Sequence, residues 1–261
     1  MLSIIFSTGA FNLYTFGFLM AIGVFLEIFI IWRRLKELGL KEERVLDFLM
    51  VSLLLGLLFS RALFIIQNFH NFGWLPLRWV GFIRFPGFSF WGWVLGLIVS
   101  LSWFAKKEKW EFWRVADETV FGILPFLILF QIGSFLDGSG FGRTTNMPWG
   151  MYFPGTLLKR HPLSLFSALF LFAIWYFLLK VERHWRTWDW YKNKQCGFVT
   201  LSGLGLIFLT HLLLAFLRDS GVYFYWLGVG LTVIGLAITV VFFFINSGRS
   251  FAKNFLKKKS L

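Results

Sequence analysis

Apolar runs about twenty residues long recur along the whole chain, and no other feature constrains its fold as strongly. A helix crossing roughly 30 Å of hydrocarbon needs about 20 mostly apolar residues, because lipid offers no partner to a backbone N–H or C=O. Seven runs meet that description: Phe11–Trp32, Val45–Phe64, Phe85–Phe104, Val115–Leu136, Leu163–Leu179, Val199–Leu217 and Val222–Ile245. Little remains between them, so the expectation is an all-α polytopic membrane protein with seven transmembrane helices, a single integral domain over residues 1–261. Composition agrees. The chain is 57% hydrophobic and only 15% charged, where soluble proteins carry about 25% charged residues. No basic segment precedes the first run and no small-residue cleavage site follows it, so span one is expected to stay in the mature protein.

The formal charge of +13 would suggest nucleic acid if the cations shared one exposed face. They do not. Arg33, Arg34, Lys36, Lys41 and Arg44 follow span one; Lys106, Lys107, Lys109 and Arg114 follow span three; Lys180, Arg183, Arg186, Lys192 and Lys194 follow span five. Arg249, Lys253, Lys257, Lys258 and Lys259 follow span seven. The alternate loops hold only Arg78, Arg84, Arg143, Lys159, Arg160 and Arg218. Cytoplasmic loops retain the excess of Lys and Arg, which puts the N-terminus outside and the C-terminus in the cytoplasm. The inner clusters set topology and touch anionic headgroups; no nucleic-acid partner is expected. Trp32, Trp79, Trp110, Trp113, Trp188 and Trp190 suit interfacial belts.

Polar residues within or beside the outer halves of the spans need a chemical reason. Arg61 lies inside span two, where a cation costs about 2.5–3.5 kcal/mol unless it meets a partner. Two readings stand for it: an anion such as a lipid phosphate, or the outer surface and backbone carbonyls. Span four ends in Gln131-Ile-Gly-Ser134-Phe-Leu-Asp137-Gly-Ser139-Gly-Phe-Gly-Arg143, whose closely spaced glycines and hydroxyls suit either a shaped cavity or a flexible helix exit. Arg143 can grip a phosphate with both arms of its guanidinium, or pair with Asp137. Lys159-Arg160-His161-Pro162 precedes span five, and His161 can hold a headgroup or accept a proton. In span six His211 and Arg218 fall seven residues apart, on one helical face. A lone intramembrane His is functional by default, although a hydroxyl such as that of Thr210 would satisfy it.

Other chemistry is excluded or weakly signalled. Cys196 is the sole cysteine, so an internal disulfide and an iron–sulfur cluster are excluded, and no metal or cofactor is expected. Gly92-Trp-Val-Leu-Gly96 fits the G-x-x-x-G pattern of close helix packing. A transporter is disfavoured, because no acidic proton relay is read in the spans and no inverted repeat of broken segments occurs.

Taken in order, these landmarks resemble the prolipoprotein diacylglyceryl transferase family of bacterial inner membranes. Tyr14 stands where that family has a tyrosine in span one, and Ser60-Arg61 followed by Asn68 resembles its G-R...Y-N segment. Gly87-Phe-Ser-Phe-Trp91-Gly92 resembles its G-x-S-F-H-G-G, and Val115-Ala-Asp117 the start of its span four. Gln131 to Arg143 aligns without a gap on its motif G-R-x-G-N-F-x-N-x-E-x-x-G-R, counted from the first Arg. Phe153-Pro-Gly155, Arg160-His161-Pro162 and Phe216-Leu-Arg218 match three further elements.

The resemblance implies transfer of the diacylglyceryl group of phosphatidylglycerol to the lipobox cysteine thiol of an exported prolipoprotein. The implied partners are phosphatidylglycerol or another anionic phospholipid and the prolipoprotein or its signal peptide. Arg61, Arg143, Arg218 and Gln131 would face the lipid phosphate, with Tyr14, Trp91, Ser134, Asp137, Ser139 and His161 lining the cavity. The substitutions fall where the chemistry belongs: Trp91 for the family histidine, Trp93 for its second glycine, Gln131 for arginine, Ser134 for asparagine and Ser139 for glutamate. In span six His211 stands for an arginine and Ala215 for a glutamate. His211 is the one evident replacement base. The alternative is a family member without turnover that binds phospholipid or lipoprotein.

Overall fold

A computed structural model describes residues 4–7, 12–81, 85, 87–185, 196–219 and 225–247. Arg84, Arg186, Trp188, Trp190, Lys192, Lys194 and the tail cations from Arg249 to Lys259 lie outside them. Helix dominates, as an apolar solvent requires, but it does not begin at once. β1 (Ile4–Ser7) and β2 (Asn12–Tyr14) pair antiparallel, with Ile4 opposite Tyr14. This short pair precedes the helical bundle: the β-branched and aromatic residues of Ile4-Ile-Phe favour a pleated pair.

The helices are α1 (Thr15–Glu37), α2 (Glu42–Gln67), α3 (Phe69–Phe72), α4 (Pro76–Val80), α5 (Phe90–Lys107), α6 (Phe112–Asp137), α7 (Leu163–Lys180), α8 (Phe198–Ala215) and α9 (Tyr225–Asn246). Among the described residues six segments are long and apolar enough to cross a membrane: Thr15–Glu37, Glu42–Gln67, Phe112–Asp137, Leu163–Arg183, Phe198–Ala215 and Gly228–Asn246. The architecture is that of a polytopic α-helical membrane protein. Several ends shift from the expected boundaries. α1 continues beyond Trp32 because Arg33 pairs with Glu37 a turn later at 3.1 Å, making its last turns a polar extension. The run expected from Phe85 becomes helical only at Phe90, because Arg61 and Ser60 take up the carbonyls of Phe85, Gly87 and Ser89. The expected starts at Phe11 and Val222 fall outside the described residues.

Contacts divide the chain into two compact units, Trp32–Ala116 and Met1–Ile31 with Asp117–Leu261. In the first, α2 packs along α5. A Cβ on Gly92 would sit 2.2 Å from the Phe59 carbonyl oxygen and one on Gly96 2.6 Å from that of Leu55, so the G-x-x-x-G pattern is the contact ridge. Ser52 and Ser100 share a 2.8 Å hydroxyl bond across the same pair, and Phe48, Phe104 and Trp110 close one end.

In the second unit α1 and α6 run antiparallel. Gly122 faces Glu27 and Ile31, Gly23 faces Phe126, and Gly133 faces Phe16, in reversed order along the two helices. α8 packs on both α7 and α9. Asp117 of α6 caps α8 across the bundle, accepting from Gly197 N at 2.6 Å, Thr200 N at 2.8 Å and the Thr200 hydroxyl at 2.8 Å. A further carboxyl lies within a span. Glu27, inside α1, is buried, and its Oε2 has no hydrogen-bond partner among the described residues.

Candidate functional site

The segment that joins α6 to α7 carries Ser139, Arg143 and His161, and its backbone explains how they are placed. Gly142 N donates to His161 O at 2.9 Å and His161 N to Arg143 O at 3.1 Å. Thr145 N donates to Lys159 O, and Met151 and Arg160 exchange both backbone bonds. The segment therefore folds back on itself, with Arg143 beside His161. It is also tied to the exit of α8: Arg143 N donates to Leu217 O at 2.8 Å. Gly142 permits that approach, since a Cβ there would lie 2.3 Å from the Leu217 oxygen. Gly140 sits at φ +71, a conformation that favours glycine, directly against Ser164.

Cations collect around this tie. Arg143 Nε donates to the Arg218 carbonyl at 2.8 Å, which uses one donor of the fork. Its two Nη groups have no protein partner among the described residues, and the side chain is exposed. Arg160 Nη1 reaches Asp219 at 3.3 Å and Gly142 O at 3.1 Å, with its guanidinium over the Phe141 ring at 4.9 Å. Asp137 makes no ion pair with Arg143 among the described residues; the Arg218 backbone carbonyl takes that role. Trp149 donates its indole N–H to His161 Nδ1 at 3.3 Å, so Nδ1 serves as the acceptor. His211 stands half-buried on α8, within electrostatic range of Arg218. Thr210 donates to Leu206 O in its own helix, so its hydroxyl is committed elsewhere.

Where the resemblance places an asparagine and a glutamate, this chain builds a hydroxyl cluster. Ser134 and Ser139 lie 2.9 Å apart, and Ser164 donates to Ser134 at 3.2 Å and to Gly140 O at 3.1 Å. Neutral hydroxyls that bond one another supply no charge to a substrate. Gln131, one turn earlier on α6, is half-buried with no side-chain partner among the described residues, and Asp137 is exposed at the end of the helix. Tyr14 ends β2 and is exposed. Ser164, Trp149 and Asp219 were not singled out in the sequence. Only long-range pairing reveals them.

The remaining candidates belong to the unit Trp32–Ala116. Arg61 bonds backbone carbonyls: Nε donates to Trp79 O at 3.0 Å, and Nη1 to Phe85 O at 2.7 Å and Gly87 O at 2.9 Å. Trp91 lies edge-on to Phe90 at the start of α5. Trp93 covers Gly56 of α2, its Cδ1 3.0 Å from where a Cβ would be. Among the described residues no group of three or more His, Cys, Asp or Glu side chains converges on a point that could hold a metal.

Comparison with known proteins agrees with the landmarks. The family model described as prolipoprotein diacylglyceryl transferase matches residues 3–246. A phosphatidylglycerol–prolipoprotein diacylglyceryl transferase of Vibrio vulnificus is 30% identical over 214 residues, covering 78% of this chain and 73% of that protein. Proteins of the same name from Vibrio cholerae, 30% identical over 78% of this chain and 73% of the relative, and Clostridioides difficile, 26% identical over 74% and 76%, are also similar. The chain belongs to the prolipoprotein diacylglyceryl transferase family.

Proposed function

We propose that this protein acts at the phosphate of an anionic phospholipid, phosphatidylglycerol by the names of its relatives, and transfers the diacylglyceryl group to the lipobox cysteine thiol of exported prolipoproteins. The observation that carries the proposal is the Arg143–Arg218 tie, in which Arg143 Nε donates to the Arg218 backbone carbonyl and holds an exposed guanidinium at the exit of α8. In such a transfer the thiol sulfur attacks the glyceryl carbon and the C–O bond to phosphate breaks. The thiol proton passes to a base, and the leaving glycerol phosphate gains a negative charge. Donors fixed where that charge develops lower the barrier. Arg143 and Arg218 meet the phosphate, Gln131 donates to it without charge, and His211 is the candidate base. His161, Ser134, Asp137, Ser139 and Tyr14 line the cavity in this reading. Arg61 enters it as a positioning residue. α5 counts as a seventh span, with the N-terminus outside, the C-terminus inside and the bacterial inner membrane as the location.

A second reading is favoured by the Ser134–Ser139–Ser164 cluster and by Trp93 packed on Gly56: a scaffold that binds the lipid and has lost turnover. Losing one preorganised donor at a developing anion costs about 2.7–4 kcal/mol, or 10²–10³ in rate. The test is transfer of radiolabel from phosphatidylglycerol to a lipobox peptide by purified protein in detergent. Labelled peptide that vanishes with His211→Ala supports the transferase; absent label with retained lipid binding supports the second reading.

A further inference from the structure

Exposed apolar side chains on the long helices face lipid and need no other explanation. Outside those helices large apolar groups also stand in the open on the α6–α7 segment, where Leu157 and Leu158 are exposed, and between α2 and α5. Along α3 and α4, Trp74 is 83% exposed and Leu77 89%, with Leu75 and Val80 beside them. The other side of the stretch is fixed. Phe72 is buried edge-on to Phe64 and against Phe85. The Arg61 guanidinium lies 5.1 Å over the Phe72 ring while its Nε holds Trp79 O, and the Trp79 indole donates to Gly73 O at 3.1 Å. A buried cation thus grips one face of a short polypeptide whose opposite face is apolar and uncovered.

We propose that α3–α4 is an in-plane anchor, its Trp74, Leu77 and Val80 face seated in the headgroup–acyl boundary of the bilayer and its back clamped by Arg61. The stretch starts directly after Gln67, the last residue of a helix long enough to span, so the chain there stands at the edge of the hydrocarbon. Leu77 and Val80 are three residues apart and share a helical face. Arg78, His70 and Asn71 are exposed and supply the polar groups that such a segment turns to headgroups and water. Tryptophan is enriched at that depth. An aqueous face of this kind would leave a contiguous apolar patch uncovered; the lipid boundary covers it. Arg61 then acts through carbonyls and a ring, and the proposal stands whether or not the chain is a transferase.

The test uses the full chain in nanodiscs of phosphatidylcholine with phosphatidylglycerol, both faces open to solutes. In a Cys196→Ser background, Leu77→Cys carries an environment-sensitive fluorophore. Blue-shifted emission, quenching by lipids doxyl-labelled near the headgroup and shielding from iodide are expected, with the reverse for Asn71→Cys. A Leu77 label open to iodide and untouched by doxyl lipid overturns the proposal. So does a label shielded from both, which would mean that protein covers the face. Adding Arg61→Lys, which keeps the charge but loses the fork, is expected to raise iodide access at Leu77; unchanged access overturns the clamp.

Discussion

Asp117→Ala should cut α8 loose from α6. The Asp117 carboxyl accepts two backbone N–H groups and one hydroxyl at the start of α8, all between 2.6 and 2.8 Å, and Gly197 there offers no side chain of its own. Losing an N-cap costs about 0.5–2 kcal/mol, and each buried donor left unsatisfied about 1–3 kcal/mol. The two figures overlap on Thr200, so the combined loss is about 3–4 kcal/mol. At about 2–4 °C per kcal/mol for a chain of this size, the midpoint of thermal unfolding in detergent, followed by near-ultraviolet circular dichroism, should fall by about 6–16 °C. Asp117→Asn keeps one acceptor but opposes an amide N–H to Gly197 N–H, and should lose about 1–2 kcal/mol. An alanine variant melting within about 2 °C of the parent would refute the cap.

Three further perturbations follow from close approaches and from one unpaired group. Gly142→Ala pushes a methyl into the Leu217 carbonyl, and should cost about 1–3 kcal/mol and open the α6–α7 segment to limited proteolysis; unchanged protection would contradict the tie. Gly96→Leu should force α2 and α5 apart, because their backbones nearly touch there, and lower the melting temperature more than Leu95→Ala on the exposed face. Glu27→Met removes a buried carboxyl whose Oε2 is unsatisfied and should raise stability by about 1–3 kcal/mol; a loss of stability would mean that the carboxyl is satisfied in the membrane.

The long helices were legible because lipid forces each span to be apolar along about twenty residues, which sequence shows directly. Boundaries were not, wherever a distant side chain set them. α5 starts late because Arg61 binds the carbonyls before it, and α8 ends at Ala215 because the Leu217 and Arg218 carbonyls turn to Arg143. Gly92 and Gly96 were readable as a packing pattern, since small residues four apart always share a face. Among the site residues, Arg143, His161 and Arg218 could be named from type and position, yet their mutual bonds depend on how the α6–α7 segment folds back. Ser164, Trp149 and Asp219 carry no local signal; each acquires meaning only from a partner between 12 and 59 residues away. Glu27 lies within an apolar run, and its burial depends on how α1 packs, which the run itself does not show.

The claim that the lipid phosphate is held at Arg143 and Arg218 is tested most directly by native mass spectrometry of lipid binding, comparing phosphatidylglycerol with phosphatidylcholine on the parent, Arg143→Ala and Arg218→Ala. The account predicts a preference for the anionic lipid in the parent that weakens in each variant by about ten-fold or more, as expected for a lost charge-assisted contact. An undiminished preference in both variants would contradict it.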